Sequence, residues 1–209
     1  VSAAPPVPGP STPSRAAAAP TRALLVVDVQ PTFCEGGELG VAGGNRVAAD
    51  VATYLEAHRN RYLCVISTQD WHVDPGPHFS TEPDFVDSWP PHGVAGSVGA
   101  ELHPAIAAFP FSDRILKGQY DHGYSGFEGA DADGRTLEEI LQEWGIETVD
   151  VVGLAESHCV KRTAIDATRL GWPTRVLLDL TAAVSPELGD AARVEMLAAG
   201  VELVDSADL

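Results

Sequence analysis

Apolar residues along this chain gather into short runs that are hydrophobic at both parities. ALLVVDV at 23–29 is the first, and YLCVIST (62–68), TVDVVGL (148–154), TRVLLDL (174–180) and VELVD (201–205) follow. DRILKG at 113–118 is a weaker sixth. A strand with one face in water alternates between polar and apolar residues. Runs apolar at both parities predict strands of a parallel sheet covered on both sides. Between them the period lengthens to that of a helix. NRVAADVATYLEAH (45–58) carries Val47, Val51, Tyr54 and Leu55 at helical spacing. TLEEILQEWG (136–145) opens with a capping box, Thr136 to Glu139, and closes on Gly145. HCVKRTAIDATRLG (158–171) and AARVEMLAAG (191–200) also end in glycine. Strand and helix alternate, so the predicted class is α/β, a parallel sheet with helices on both faces.

Two segments break this rhythm. Residues 1–20, VSAAPPVPGPSTPSRAAAAP, are proline- and alanine-rich with little to bury, which predicts a flexible tail before a single domain at 21–209. They lack the basic and apolar regions of a secretory signal. Residues 69–112 are rich in proline and glycine and have little period. So long a connection inside a compact domain is usually functional. It begins where the second strand ends, and open α/β sheets bind ligands beyond the carboxyl ends of their strands. Asp28 ends the first run, Lys117 follows the weak third, and Cys159 opens the helix after the fourth. Such a sheet brings these distant positions to one rim.

Composition narrows the functional classes. A charge of −17 over 209 residues argues against nucleic acid or an anionic membrane as partner. No apolar run is long enough to cross a bilayer. The three cysteines, Cys34, Cys64 and Cys159, are odd in number and widely spaced. They form neither a disulfide framework nor a CxxC motif, so a reducing, cytoplasmic setting is expected.

Candidate chemistry lies at the strand ends. STQDWHVDPGPHF (67–79) packs Asp70, His72 and His78 into nine positions, and His92 follows in WPPHG. Imidazoles with a carboxylate suit zinc, iron or manganese, and water would complete an open site; solvated loop residues are the alternative. Cys159 sits after a strand and at a helix start, where unpaired amides lower a thiol pKa and can hold an oxyanion. A buried structural cysteine is the alternative there, and Cys64, inside an apolar strand, fits it well. A thiol nucleophile needs a proton acceptor and a neighbouring cation. Asp28 and Lys117 are the candidates; the latter also reads as an ordinary surface lysine.

Taken together, LLVVDVQPTFCEGGEL, STQDWHVDPGPHF, SWPPHG, LKGQYDHGYSGFEG and VVGLAESHCVKRTAIDATRLG resemble the landmarks of the nicotinamidases, a group of isochorismatase-like cysteine hydrolases also known for pyrazinamidase activity. The similarity spans about residues 22–206. It implies a three-layer fold with a six-stranded parallel sheet. It implies a catalytic triad of Asp28, Lys117 and Cys159, and one divalent metal ion (Zn, Fe or Mn) on Asp70, His72, His78 and His92. Phe33, Trp89 and Tyr124 match aromatics around the substrate ring. Leu154–Ala155 matches an unusual cis peptide, and the amides of Ala155 and Cys159 match an oxyanion hole. His122 has no assigned role. The implied reaction is hydrolysis of nicotinamide, and of pyrazinamide, to the acid and ammonia through a Cys159 thioester, in a monomer or small homo-oligomer. Two rivals remain: a related hydrolase acting on another amide or ureido compound, and a metal-binding α/β protein without turnover. The metal quartet with its aromatic pocket argues against the first, and the triad argues against the second.

Overall fold

The computed structural model describes residues 19–209. The predicted tail therefore lies, except for its last two residues, outside the described residues. Six strands form one sheet: β1 (Arg22–Val27), β2 (Cys64–Asp70), β3 (Asp113–Lys117), β4 (Thr148–Leu154), β5 (Thr174–Ala182) and β6 (Glu202–Val204). Their order is β3-β2-β1-β4-β5-β6, and every pairing is parallel. The chain winds outward from β1 in one direction, then returns to its other side at β4. This places a switch point beside β1, where open α/β sheets bind ligands.

The double-sided apolar runs have the expected cause. Ala23, Leu25 and Val27 of β1 face one layer, and Leu24 and Val26 face the other. All five are fully buried. On the first face lie α3 (Leu137–Glu143), α4 (Lys161–Arg169) and α5 (Pro186–Ala198), packing Ile140, Ile165 and Met196. On the second lie α1 (Gly44–His58) and the short α2 (Pro104–Ala107), packing Val47, Val51, Leu55 and Ile106. Each fully buried Val, Leu or Ile side chain contributes about 1.5–3 kcal/mol.

Boundaries differ from the sequence pattern where pairing or caps override hydropathy. β1 stops at Val27 because Asp28 turns to φ 47, outside strand geometry. β2 runs on past residue 68, because Gln69 and Asp70 still pair with Leu116 and Lys117 of β3. The last predicted helix starts earlier, at Pro186, with the Ser185 side chain accepting the Leu188 N–H. The helix expected from residue 158 begins instead with a π-helical turn, Glu156–Val160. The polar residue inside the β4 run, Asp150, is fully buried near the amino ends of the strands. Arg22 (2.6 Å), Arg175 (2.7 Å) and the Tyr62 hydroxyl (3.0 Å) satisfy it. An unpaired carboxylate there would cost several kcal/mol.

Candidate active site

Four strand ends converge on one rim. At the end of β1 the turned backbone of Asp28 donates its N–H to the Thr68 carbonyl at 3.2 Å. The Thr68 hydroxyl donates back to Asp28 Oδ1 at 2.6 Å. Lys117, the last residue of β3, is 1% exposed, and its register partner on β2 is Asp70. Its Nζ lies 2.8 Å from Asp28 Oδ2, contacts Asp70 Oδ1, and donates to Cys159 Sγ at 3.6 Å. Oxygens of Asp28 and Asp70 and the sulfur of Cys159 all lie within 4.8 Å of one another. Lys117 is thus no surface lysine.

Cys159 is the fourth residue of the π-helical turn after β4, and the Leu154–Ala155 peptide before that turn is cis. The Ala155 carbonyl accepts from His158 (3.0 Å) and Val160 (3.2 Å). The Ala155 N–H takes no part in the bonds that knit the turn.

Charges in this cluster are strongly coupled. Burial drives the Cys159 thiol well above its usual range, and Lys117 offsets this only in part. Burial also raises Asp28 against the pull of Lys117. Asp70 goes the other way: burial opposes its charge, but Lys117 and then His72 outweigh burial and hold it below the usual carboxylate range. Burial likewise opposes the charge on Lys117, yet Asp28 and Asp70 keep it well above the ordinary lysine value. Lys117 is therefore the fixed cation and Asp70 its fixed anion. Asp28, with the greater proton affinity, stands beside a protonated thiol.

The three imidazoles form a second cluster. One ring nitrogen each from His72, His78 and His92 lies within 4.8 Å of the others. His72 Nδ1 bonds the Gly118 carbonyl, and His92 Nδ1 lies 2.8 Å from the Pro90 carbonyl. A ring that donates Nδ1–H to a carbonyl keeps its Nε2 lone pair for a metal. His72 Nε2 and His78 Nδ1 are buried without a partner. Burial, then His92 and His72, hold His78 down at about 4, and burial lowers His92 too, so both rings are neutral at physiological pH. Three clustered imidazoles, two of them with unpartnered buried nitrogens, are a donor set for a divalent transition metal. Asp70 links the clusters: its Oδ2 lies 3.5 Å from His72 Nε2 and 3.7 Å from His92 Nε2, while it groups with Asp28 and Cys159.

Gly118 makes the approach of His72 possible. It has φ +69, and a Cβ there would lie 2.5 Å from His72 Cε1. Gly118→Ala is expected to displace the ring and weaken metal binding by roughly 10–100-fold, the usual cost of losing support for a ligand. Metal titration against a competing chelator checks this; unchanged affinity would show that His72 is not a ligand.

A cavity of about 300 Å³ joins the two clusters, at the small end of ligand sites. Ala155 and Cys159 line it together with His78 and His92. Phe33, Trp89 and Tyr124, the aromatics expected from the sequence, also line it, and Trp89 Nε1 donates to the Tyr124 hydroxyl at 2.9 Å. His122 is exposed and lines the same cavity, its ring 5.3 Å from Tyr124 and 6.4 Å from His78.

Other residues of the site escaped the sequence reading. His158 lines the same cavity, with its ring 5.4 Å from Trp89 and 6.2 Å from Tyr124. Gln30 holds Asp70 in place: its amide donates to the Asp70 carbonyl (3.0 Å) and accepts the Asp70 N–H (2.9 Å). Thr68 orients Asp28. Only their closeness in sequence to a candidate residue pointed to them.

The chain matches the Isochorismatase domain over residues 22–208, and it belongs to that family. Within the family it is 50% identical over 185 residues to the nicotinamidase/pyrazinamidase of Mycobacterium tuberculosis, covering 88% of this chain and 99% of that one. The crystal structure of the pyrazinamidase of Pyrococcus horikoshii in complex with zinc has a TM-score of 0.76 at 31% identity, over 89% of this chain and 99% of that one. PnC1 from L. infantum, in complex with nicotinate, has a TM-score of 0.77 at 33% identity, over 90% and 93%.

Proposed function

We propose that the protein is a nicotinamidase that also hydrolyses pyrazinamide, with Cys159 as nucleophile. The observation that carries this reading is a single cavity onto which both clusters open: Cys159, whose thiol contacts the buried Lys117, lines it, and so do His78 and His92 of the three imidazoles. Asp28 takes the thiol proton as Cys159 Sγ bonds to the carboxamide carbon, and Lys117 stabilises the thiolate as it forms. The amides of Ala155 and Cys159 hold the oxyanion. Collapse breaks the C–N bond, and Asp28 returns its proton to the departing ammonia. Water then attacks the thioester, giving a proton to Asp28. The C–S bond breaks, nicotinate leaves, and the proton returns to the sulfur. Phe33, Trp89 and Tyr124 enclose the ring and exclude water. His72, His78 and His92, with Asp70, would hold a divalent ion that binds the ring nitrogen and thereby orients the substrate. Pyrazinamide keeps a ring nitrogen at the same position relative to its carboxamide.

The homologue and structures named above support this reading over the rivals. A hydrolase of ureido compounds has no use for a three-imidazole cluster beside an aromatic ring pocket. A protein without turnover leaves the buried Asp28–Lys117–Cys159 cluster unexplained. Three free thiols favour a cytoplasmic setting, and among the described residues no helix is long and apolar enough to cross a membrane.

The test is a quenched turnover. Mass spectrometry of the digested protein should find a nicotinoyl group on the Cys159 peptide, and its appearance on another residue would refute the scheme. Asp28→Asn keeps the shape but cannot accept the proton, so acylation should slow by about 10²–10⁴-fold. Lys117→Ala leaves two buried carboxylates without their cation, and stability should fall by roughly 3–5 kcal/mol along with activity. Ammonia release and thermal melting read both. A Lys117→Ala variant that matches wild type in both would remove the lysine from the mechanism.

A further inference from the structure

The turn that carries Cys159 is held by β5, α5 and the segment between them. Its first residue, Glu156, is a carboxylate only 2% exposed. Arg193 of α5 reaches it with two bonds, Nε to Oε1 at 2.7 Å and Nη2 to Oε2 at 3.2 Å. The Thr181 hydroxyl of β5 lies 3.0 Å from Oε2. The next residue, Ser157, accepts the Val184 N–H at 3.2 Å and lies 3.0 Å from His158 Nδ1. The Glu156 carbonyl accepts from Lys161, which closes the turn onto α4. Both residues that open the turn are thus tied to β5, to α5 or to the segment between them, and Cys159 follows three positions later.

We propose that Arg193, through Glu156, is a positioning residue that sets the Cys159 thiol against Lys117 and Asp28. The inference rests on the reading of Cys159 as nucleophile. Arg193 touches neither Cys159 nor the cavity lining, and it is partly exposed. Its effect passes through the paired carboxylate. A buried carboxylate without its cation must protonate or move toward water, and both change how the turn is anchored. The bidentate fork fixes the carboxylate in direction as well as distance, which a lysine does not do. The thiol has little room for error: Sγ is 3.6 Å from Lys117 Nζ, and a shift of about 1 Å at a reacting group can cost on the order of 10²-fold.

Four variants test this: Arg193→Gln, Arg193→Lys, the double change Glu156→Gln with Arg193→Gln, and Glu195→Gln as control. Glu195 also lies on α5 and pairs with Lys161 at 3.0 Å, but it does not reach the Glu156 carboxylate. Arg193→Gln is expected to lower kcat roughly 10–100-fold with little change in KM. Alkylation of Cys159 by iodoacetamide should slow in step. The double change removes the unpaired charge and keeps the shape of the Glu156 side chain, so it should recover most of both rates. Glu195→Gln should match wild type. If Arg193→Gln does not fold, Arg193→Lys carries the same readouts with a smaller loss. Wild-type kcat and alkylation in the folded Arg193 variants, with only a lower melting temperature, would overturn the positioning role. Hydrolysis surviving in Cys159→Ala would instead refute the nucleophile reading, while the alkylation series would still report on the turn.

Discussion

Replacing Cys159 by alanine is expected to abolish nicotinamide hydrolysis, a loss on the order of 10⁴-fold or more, and to leave the fold intact. The rate term follows from covalent chemistry, since no other thiol lines the cavity among the described residues. The stability term follows from what the sulfur touches. Lys117 keeps Asp28 and Asp70 as partners when Sγ is gone, so no buried charge is left alone. Cys64→Ala should show the opposite balance. Cys64 is fully buried in the core beside β1, with its thiol pushed up to about 12 by burial, so it is inert and its loss should affect stability rather than rate. Ammonia release and melting curves on the two variants separate the roles. Wild-type turnover in folded Cys159→Ala would end the thioester account.

Changing His72 and His78 together to alanine should empty the metal site. Both rings have buried nitrogens without a protein partner, so their removal breaks no hydrogen bond at those atoms. Metal content by mass spectrometry should fall from about one ion per chain to near zero. Imidazoles bind a metal as neutral bases, so metal should also be released on acidification. The substrate pattern tells what the ion does. If it holds the ring nitrogen, losing it should hurt nicotinamide far more than benzamide, which has no such nitrogen. Equal losses on both substrates would assign the ion to structure or to water. Purified, active protein without any metal would remove the ligand reading altogether.

The sheet was legible because it is covered on both sides. A run such as that around Leu24, Leu25 and Val26 has no polar face to confuse its period, and even the weak run at 113–118 proved to hold a strand, Asp113–Lys117. Asp28, Lys117 and Cys159 were legible because each stands where a parallel strand delivers residues to the rim. What escaped depends on partners distant in sequence. Asp150 reads as a flaw in an apolar run until Arg22 and Arg175 arrive from neighbouring strands. Glu156 carries no signal in the sequence, because its partner, Arg193, comes from α5. Gln69 and Asp70 read as loop because they are polar, yet β3 keeps them in the sheet. The positive φ of Asp28 has no glycine to announce it.

The most direct test is the fate of nicotinamide in the presence of the folded, metal-supplied protein. Ammonia and nicotinate should appear in equal amounts, catalytically, and neither should form with Cys159→Ala. Ureido compounds should be poor substrates beside it. Absence of ammonia from nicotinamide, in protein whose Cys159 is readily alkylated and whose metal site is filled, would contradict the account: the site would then be competent, but built for a different substrate.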